Sequence, residues 1–495
     1  MAFITTFLTG FIMLLLAYNP DNPVKDKAQN LSQSKAEVWI STQSGDKKLS
    51  RAGDIFFKEL SKDLADESFV QINTDETFQT IDGMGSSLEP STCYNLAQLL
   101  PVDRENTLKA LLTSDQGIGM NLMRICIGTP DFTGDAWYSH CDLPEGQTDT
   151  LLNHFSIEKD KKYIIPVLHE ALKINPGLRP FASPWSPPAW MKSSGNLTGG
   201  RLKPEFYAAY ARYFVKYIQA YADEGIPVFA VTVQNEPGVD REHDAPKWHY
   251  PSCHWTAEEQ RDFIKNHLGP ELEHNGLKTE IWCYDHNYNI KPQTDNSPVF
   301  IPEMPGDAGI GFPRAILSDP ESRRYTKAMA FHGYVGKPDG MSVIQNEFPE
   351  VPVRFTEGSV FGLKGGIQLM QILKNRAVSY NGWVTMLDQN RKPNNGPFKA
   401  SQTIIERNTS ENKAVFHFDY YLYGHFMKFI KPGSVIVTSK GETEISHIAC
   451  KDPDGFVVLI LINNSDKTQN INILCNQQEA GFRMPANSIA TLKWK

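Results

Sequence analysis

Residues 203–237 read KPEFYAAYARYFVKYIQAYADEGIPVFAVTVQNEP, and the fold follows from how this stretch is parsed. Tyr207, Tyr210, Ala211, Phe214, Ile218 and Tyr221 recur at intervals of three and four, which predicts a helix with one buried face over 203–224. A short apolar run, VFAVTVQ at 228–234, follows and reads as a buried strand. Pro237 halts it, because proline has no N–H for a ladder. Helix followed by buried strand is one step of a parallel sheet. The same alternation runs outward in both directions, with strand candidates at 120–127 (MNLMRICI), 179–183 (RPFAS), 279–284 (TEIWCY), 328–332 (AMAFH), 353–357 (VRFTE) and 382–388 (GWVTMLD). FQTIDGMG at 78–85 supplies an eighth, and eight such units predict an α/β fold of the (β/α)8 TIM-barrel type.

From about residue 412 the texture becomes all-β. Short strands at 435–439, 444–450, 455–462, 469–474 and 488–494, with the turn Pro453-Asp454-Gly455, predict an appended antiparallel β-sandwich. The run AEVWIST at 36–42 precedes the barrel and is expected to pair with that late sheet. The expected division is a signal peptide or short anchor at 1–18 and a polar, Pro-containing tether at 19–35. Strands joining the sandwich are expected at 36–76, the catalytic barrel at 77–410 and the sandwich at 411–495.

The chain of 495 residues carries 49 basic and 57 acidic side chains, for a formal charge of −8. Without a run of five Lys or Arg, it has no electrostatic footprint for nucleic acid and no polybasic segment for an anionic membrane surface. FITTFLTGFIMLLLA at 3–17 is shorter than the ~20 residues of a membrane span and fits the apolar core of a secretory signal. Export is therefore expected, to periplasm, extracellular space or a lysosome-like compartment according to host, with an N-terminal anchor as the alternative. Seven cysteines without a CxxC leave disulfide pairing unreadable.

No phosphate-binding loop, HExxH or GxSxG occurs. His243, His249, Cys253 and His254 cluster, but their spacing matches no standard zinc pattern, so no metal and no cofactor are expected. The carboxylates say more. Glu236 follows one predicted strand and Glu357 ends another, and barrels place such rims around one pocket. Two carboxylates facing one site is the arrangement of glycoside hydrolysis.

These features resemble glycoside hydrolase family 30, the glucosylceramidase family. The matching stretches are FQTIDGMG at 78–85, NLMR at 121–124, ASPWSPPAWMK at 182–192, TVQNEP at 232–237, FTEG at 355–358 and YGHFMKFI at 423–430, all in family order. The resemblance implies a retaining mechanism with Glu236 as general acid/base and Glu357 as nucleophile. It also implies Asn235 on the sugar 2-hydroxyl, Trp185 lining the sugar pocket, Arg124 orienting Glu357, and Asp149, His332, Tyr334 and Trp383 as further substrate-binding residues. His425, in GHFMKFI, is expected to be structural.

Two departures bear on substrate. Gly333 stands where animal-type glucosylceramidases carry a large aromatic residue, and Met386-Leu387 where they carry Trp-Asn, so a wider or differently shaped pocket margin is expected. The leading expectation is cleavage of glucosylceramide or other β-glucosides. An endo-β-1,6-glucanase of the same family and a catalytically silent carbohydrate- or lipid-binding barrel are the alternatives.

Overall fold

A computed structural model describes residues 34–60, 68–288, 309–400 and 402–495. The expected signal segment, and the tether up to residue 33, lie outside the described residues. In chain order the principal elements begin with β1 (Lys35–Thr42), β2 (Phe69–Thr80), β3 (Gly83–Gly85), β4 (Leu122–Ile127) and β5 (Arg179–Pro184). Next come α1 (Tyr207–Asp223), β6 (Ala230–Thr232), β7 (Glu280–Asn287), β8 (Thr326–His332), β9 (Val353–Glu357), α2 (Gly362–Lys374) and β10 (Ala377–Asn381). The remainder are β11 (Met386–Asp388), β12 (Ile405–Asn408), β13 (Lys413–Phe416), α3 (Phe418–Met427), β14 (Val435–Lys440), β15 (Ser446–Lys451), β16 (Val457–Asn463), β17 (Gln469–Cys475), β18 (Gln478–Met484) and β19 (Ser488–Trp494).

Eight parallel strands run β3-β10-β9-β8-β7-β6-β5-β4. The ring closes where Asn121 N–H donates to Met84 O (3.0 Å) and Arg124 N–H donates to Ser86 O (2.9 Å). This is the expected TIM barrel. Its lumen is plugged by Leu122, Phe181, Ala230, Trp282, Ala328 and Ala330.

Two strand expectations need correction. FQTIDGMG is not one strand: residues 78–80 end β2, which pairs with β14 and β17 of the sandwich, and only Gly83–Gly85 joins the barrel. The run 382–388 is not a barrel strand either. Ala377–Asn381 takes that place, while Met386–Asp388 pairs with β12 in a separate three-stranded sheet. Trp383, Met386 and Leu387 are buried by packing above the barrel wall rather than within it, so their hydrophobicity misled.

The second sheet has eleven strands and includes β1, paired with β19, and β2. Strand β16 shows how it sits on the barrel. Alternate residues of a strand face opposite ways. Val457, Leu459 and Leu461 therefore enter the sandwich core, while Val458, Ile460 and Ile462 enter the core shared with the barrel. Gly366 lets α2 come close, since a Cβ there would meet Ile462 Cδ1 at 2.7 Å. β18 went unread because QEAGFRM is polar and holds a glycine. It forms a hairpin with β17 across Asn476-Gln477, both at positive φ (49° and 61°), without the usual Asn-Gly pair.

His425 on α3 joins the two parts, its Nδ1 lying 2.8 Å from Thr491 Oγ1 on β19 and its Nε2 2.9 Å from Ser41 Oγ on β1. All seven cysteines are free and buried. Among the described residues no helix is long and apolar enough to cross a membrane.

Candidate active site

β6 stops at Thr232, and the chain continues as Val233-Gln234-Asn235-Glu236 over the carboxyl-terminal rim. Asn235 N–H donates to Pro184 O (2.8 Å) and Glu236 N–H to Asp285 O (3.0 Å). Those bonds hold Glu236 at φ 48°, a conformation that costs a non-glycine residue about 1–3 kcal/mol. Glu357 is the last residue of β9. Both carboxyl groups line one cavity of about 400 Å³, together with Asp131, Trp185, Asn235, Tyr334 and Trp383. Trp185 and Trp383 stack at 5.2 Å to form one wall.

Arg124 organises the floor. Its guanidinium is fully buried and bonds Glu357 Oε2 through Nη1, and Asn235 Oδ1 and Asp285 Oδ2 through Nη2, each of the latter at 2.8 Å. It also lies over the Trp185 and Trp383 rings, 4.9 and 5.5 Å from their centroids. Burial disfavours its charge, but Asp285 and Glu357 more than restore it. With the carboxamide oxygen of Asn235 taken by Arg124, its NH2 group is what remains to offer a ligand.

Asp285 reaches the floor through a β-bulge. The β7–β8 register shifts between Tyr284 and His286, with Tyr284 and Asp285 at φ 75° and 70°. Bulges re-aim side chains. Here Asp285 accepts from Arg124, from Thr232 Oγ1 (2.7 Å) and from Thr356 Oγ1 (2.6 Å), and it lies 3.0 Å from His332 Nε2. His332 Nδ1 in turn lies 3.2 Å from Glu236 Oε1 and 3.9 Å from Glu357 Oε2. Those two oxygens are therefore at most about 7 Å apart, so both carboxyl groups face one site.

Burial disfavours a charged His332, yet Glu357 and Asp285 outweigh it and raise the imidazole to about 9. Glu236 is also pushed up by burial, but the His332 hydrogen bond and the charges of His286, His332 and Arg241 bring it down to about 2. Both shifts favour an imidazolium beside a carboxylate at that contact. Burial and then Glu236 raise Glu357 above the usual carboxylate range, against the pull of His332, Arg124 and Tyr334. Donor geometry decides its form: Arg124 takes Oε2 and the Tyr334 hydroxyl donates to Oε1 at 2.9 Å, an arrangement that fits a carboxylate.

Asp149 is not among the residues lining the cavity, and its carboxylate accepts from His154 N–H (2.8 Å) and Asn153 Nδ2 (3.3 Å). The cavity acid that the sequence reading missed is Asp131, four residues beyond the end of β4. It lacks the proline or glycine that directly follows Glu236 and Glu357, so the strand-end signal does not mark it. Burial, helped by Glu357 and Glu236, raises its carboxyl to about 8.

Gly333 packs under the Phe355 ring, with 2.8 Å from a would-be Cβ to Phe355 Cζ, and neither it nor Met386 or Leu387 lines the cavity. Leu387 instead backs the Trp185–Trp383 wall. Nor do His243, His249, Cys253 and His254 gather their donors. Among the described residues, the one such group is Glu236, His286 and His332, whose donor atoms lie within 4.8 Å of one another.

Comparison with known proteins agrees with this architecture. Residues 81–366 match the glycosyl hydrolase family 30 TIM-barrel domain, and residues 433–492 match the family 30 β-sandwich domain. The mouse lysosomal acid glucosylceramidase is 28% identical over 461 residues, 86% of this chain and 83% of that protein. An endo-1,6-β-D-glucanase of Neurospora crassa is 29% identical over 407 residues, 78% of this chain and 79% of its own. A solved endo-β1,6-glucanase superposes with a TM-score of 0.79 at 31% identity, covering 93% of this chain and 99% of that one. SrfJ from Salmonella typhimurium, at 22% identity and a TM-score of 0.83, shares the fold. With both its domains matched, the chain belongs to glycosyl hydrolase family 30 and is a glycoside hydrolase.

Proposed function

We propose that the protein cleaves β-glucosidic bonds with retention of configuration, Glu357 attacking the anomeric carbon and Glu236 acting first as acid and then as base. The observation that carries this reading is that Glu236 and Glu357 line one cavity in different surroundings. Glu357 accepts from Arg124 and from the Tyr334 hydroxyl, whereas Glu236 Oε1 lies 3.2 Å from His332 Nδ1. The proton a leaving oxygen needs is one hydrogen bond from the acid. Once Glu357 is esterified its charge is gone, and Glu236 can take a proton from water. Asn235 offers its amide NH2 to the sugar 2-hydroxyl, where contacts strengthen in the transition state.

For the leaving group, a sugar fits better than a lipid. The cavity is also lined by Arg241, Tyr250, Phe398 and Lys399, rings and cations that suit a hydroxyl-rich aglycone. The 31% identity to an endo-β1,6-glucanase supports a β-1,6-linked glucan as substrate. Glucosylceramide is the second reading, favoured by Val239, Val335 and Ala400 along the same lining and by the mouse relative.

The test is intact-mass analysis after incubation with an activated 2-deoxy-2-fluoro-β-glucoside, followed by peptide mapping and digestion of β-1,6-glucan. One sugar on Glu357 with oligosaccharides released from glucan is the expected result. A label on any other residue would overturn the roles. A label on Glu357 with turnover of glucosylceramide but not glucan would move the substrate to the second reading. An exported or lysosome-like location is part of the same proposal, and secretion of the full-length chain with loss of its first residues tests it.

A further inference from the structure

The Glu236–His286–His332 group has the composition and spacing of a transition-metal site. We propose that these three side chains bind one divalent ion of borderline softness, Zn2+ above all, and that the bound ion switches hydrolysis off.

The donors are one carboxylate oxygen and two imidazole nitrogens, a set suited to Zn2+ and poorly suited to Mg2+ or Ca2+. Glu236 Oε1 lies 3.2 Å from His332 Nδ1 and 3.7 Å from His286 Nδ1. Zinc bonds of about 2.0–2.2 Å in tetrahedral array place ligands about 3.3–3.5 Å apart, so both spacings already match. All three donors lie within 4.8 Å, so the third spacing would close by at most about 1.5 Å on binding.

The surroundings also resemble a metal site. Ligating histidines typically give their other ring nitrogen to a carboxylate, which fixes tautomer and ring orientation. His332 does so through Nε2 to Asp285 Oδ1 at 3.0 Å. Asp285 is itself held by Arg124, Thr232 and Thr356. The ion would replace the proton that His332 now shares with Glu236. Glu236 opens on the cavity, which gives the ion a way in and a fourth position for water.

Binding does not depend on how the reaction is read; the inhibition rests on Glu236 being the acid. The experiment titrates ZnCl2 into the full chain by calorimetry, repeats it with Co2+ followed by visible absorption, and assays β-glucoside hydrolysis in parallel. One ion per chain is expected, with a cobalt spectrum of nitrogen and oxygen ligation. Zinc should abolish hydrolysis and EDTA restore it. His286→Ala should weaken zinc binding by more than the ~10–100-fold that loss of an outer-shell partner costs. Glu236→Gln should weaken it comparably, both variants being checked for an unchanged thermal midpoint. His249→Ala, in the separate histidine loop, should leave zinc affinity as it was. Absence of binding, thiolate bands with Co2+, or a loss of affinity in His249→Ala but not His286→Ala would overturn the site. Zinc bound at the site while hydrolysis continued would overturn the inhibition and, with it, the acid role of Glu236. Zinc bound in a protein that hydrolyses no glycoside would leave the site standing and remove the proposed function instead.

Discussion

Strands β16 and β9 are both wholly buried, yet they are buried for different ends. β16 sends Val457, Leu459 and Leu461 to one core and Val458, Ile460 and Ile462 to another, so nearly every side chain gains from leaving water. β9 carries Arg354, Thr356 and Glu357 into the interior alongside Val353 and Phe355. There each buried charge costs free energy that only its partners offset. The barrel rim adds three non-glycine residues at positive φ, Glu236, Tyr284 and Asp285. Stability in this molecule comes from the sandwich and the packed cores, while the rim spends some of it to hold carboxylates in defined surroundings.

That contrast can be tested at both ends. Glu357→Gln should lower turnover on every substrate by on the order of 10⁴-fold or more without lowering the thermal midpoint. A midpoint that fell with activity would mean that Glu357 is a structural partner of Arg124 first. Glu236→Gln should cost about 10²–10⁴-fold on glycosides with poor leaving groups and far less on activated aryl glycosides, which need little protonation. Equal losses across a leaving-group series would break the assignment. Leu459→Ala, in the sandwich core, should show the reverse pattern. Its unfolding free energy should drop by about 2–5 kcal/mol while kcat of the folded enzyme stays put, as chemical denaturation beside a standard assay would measure.

Smaller effects sharpen the same comparison through pH. Burial raises Asp131 from 3.8 to about 8, so the folded chain holds that proton more tightly and loses stability as pH rises between those values. Asp131→Asn should therefore raise the thermal midpoint at pH 9 and leave it unchanged at pH 4. His425 works in the opposite direction at the barrel–sandwich joint. Burial lowers it from 6.5 to about 3, so its contribution is whole above pH 6.5 and is lost as pH falls towards 3. Acid unfolding of the wild type should thus be steeper through that window than that of His425→Gln, with scanning calorimetry as the readout.

Much of this was legible from residue order. Helical and strand periodicities reveal a barrel because a buried strand and a one-faced helix each leave a local trace. Glu236 and Glu357 stood out because proline or glycine follows directly after each at a predicted strand end. Asp131 lies four residues past its strand with Phe132 after it, so it carries no such mark, and only the fold brings it to the cavity.

What residue order alone determined, then, is the alternation of elements, the two-part chain and the pair of glutamates. Only the tertiary structure decided the rest. The β7 bulge that brings Asp285 under Arg124, the joining of Glu236 to His332 across 96 positions and the capture of β2 by the sandwich all depend on distant segments. The reason is physical: side-chain periodicity is a property of neighbours in sequence. A buried charge is stable only where remote residues supply its partners, and nothing local records which residues those will be.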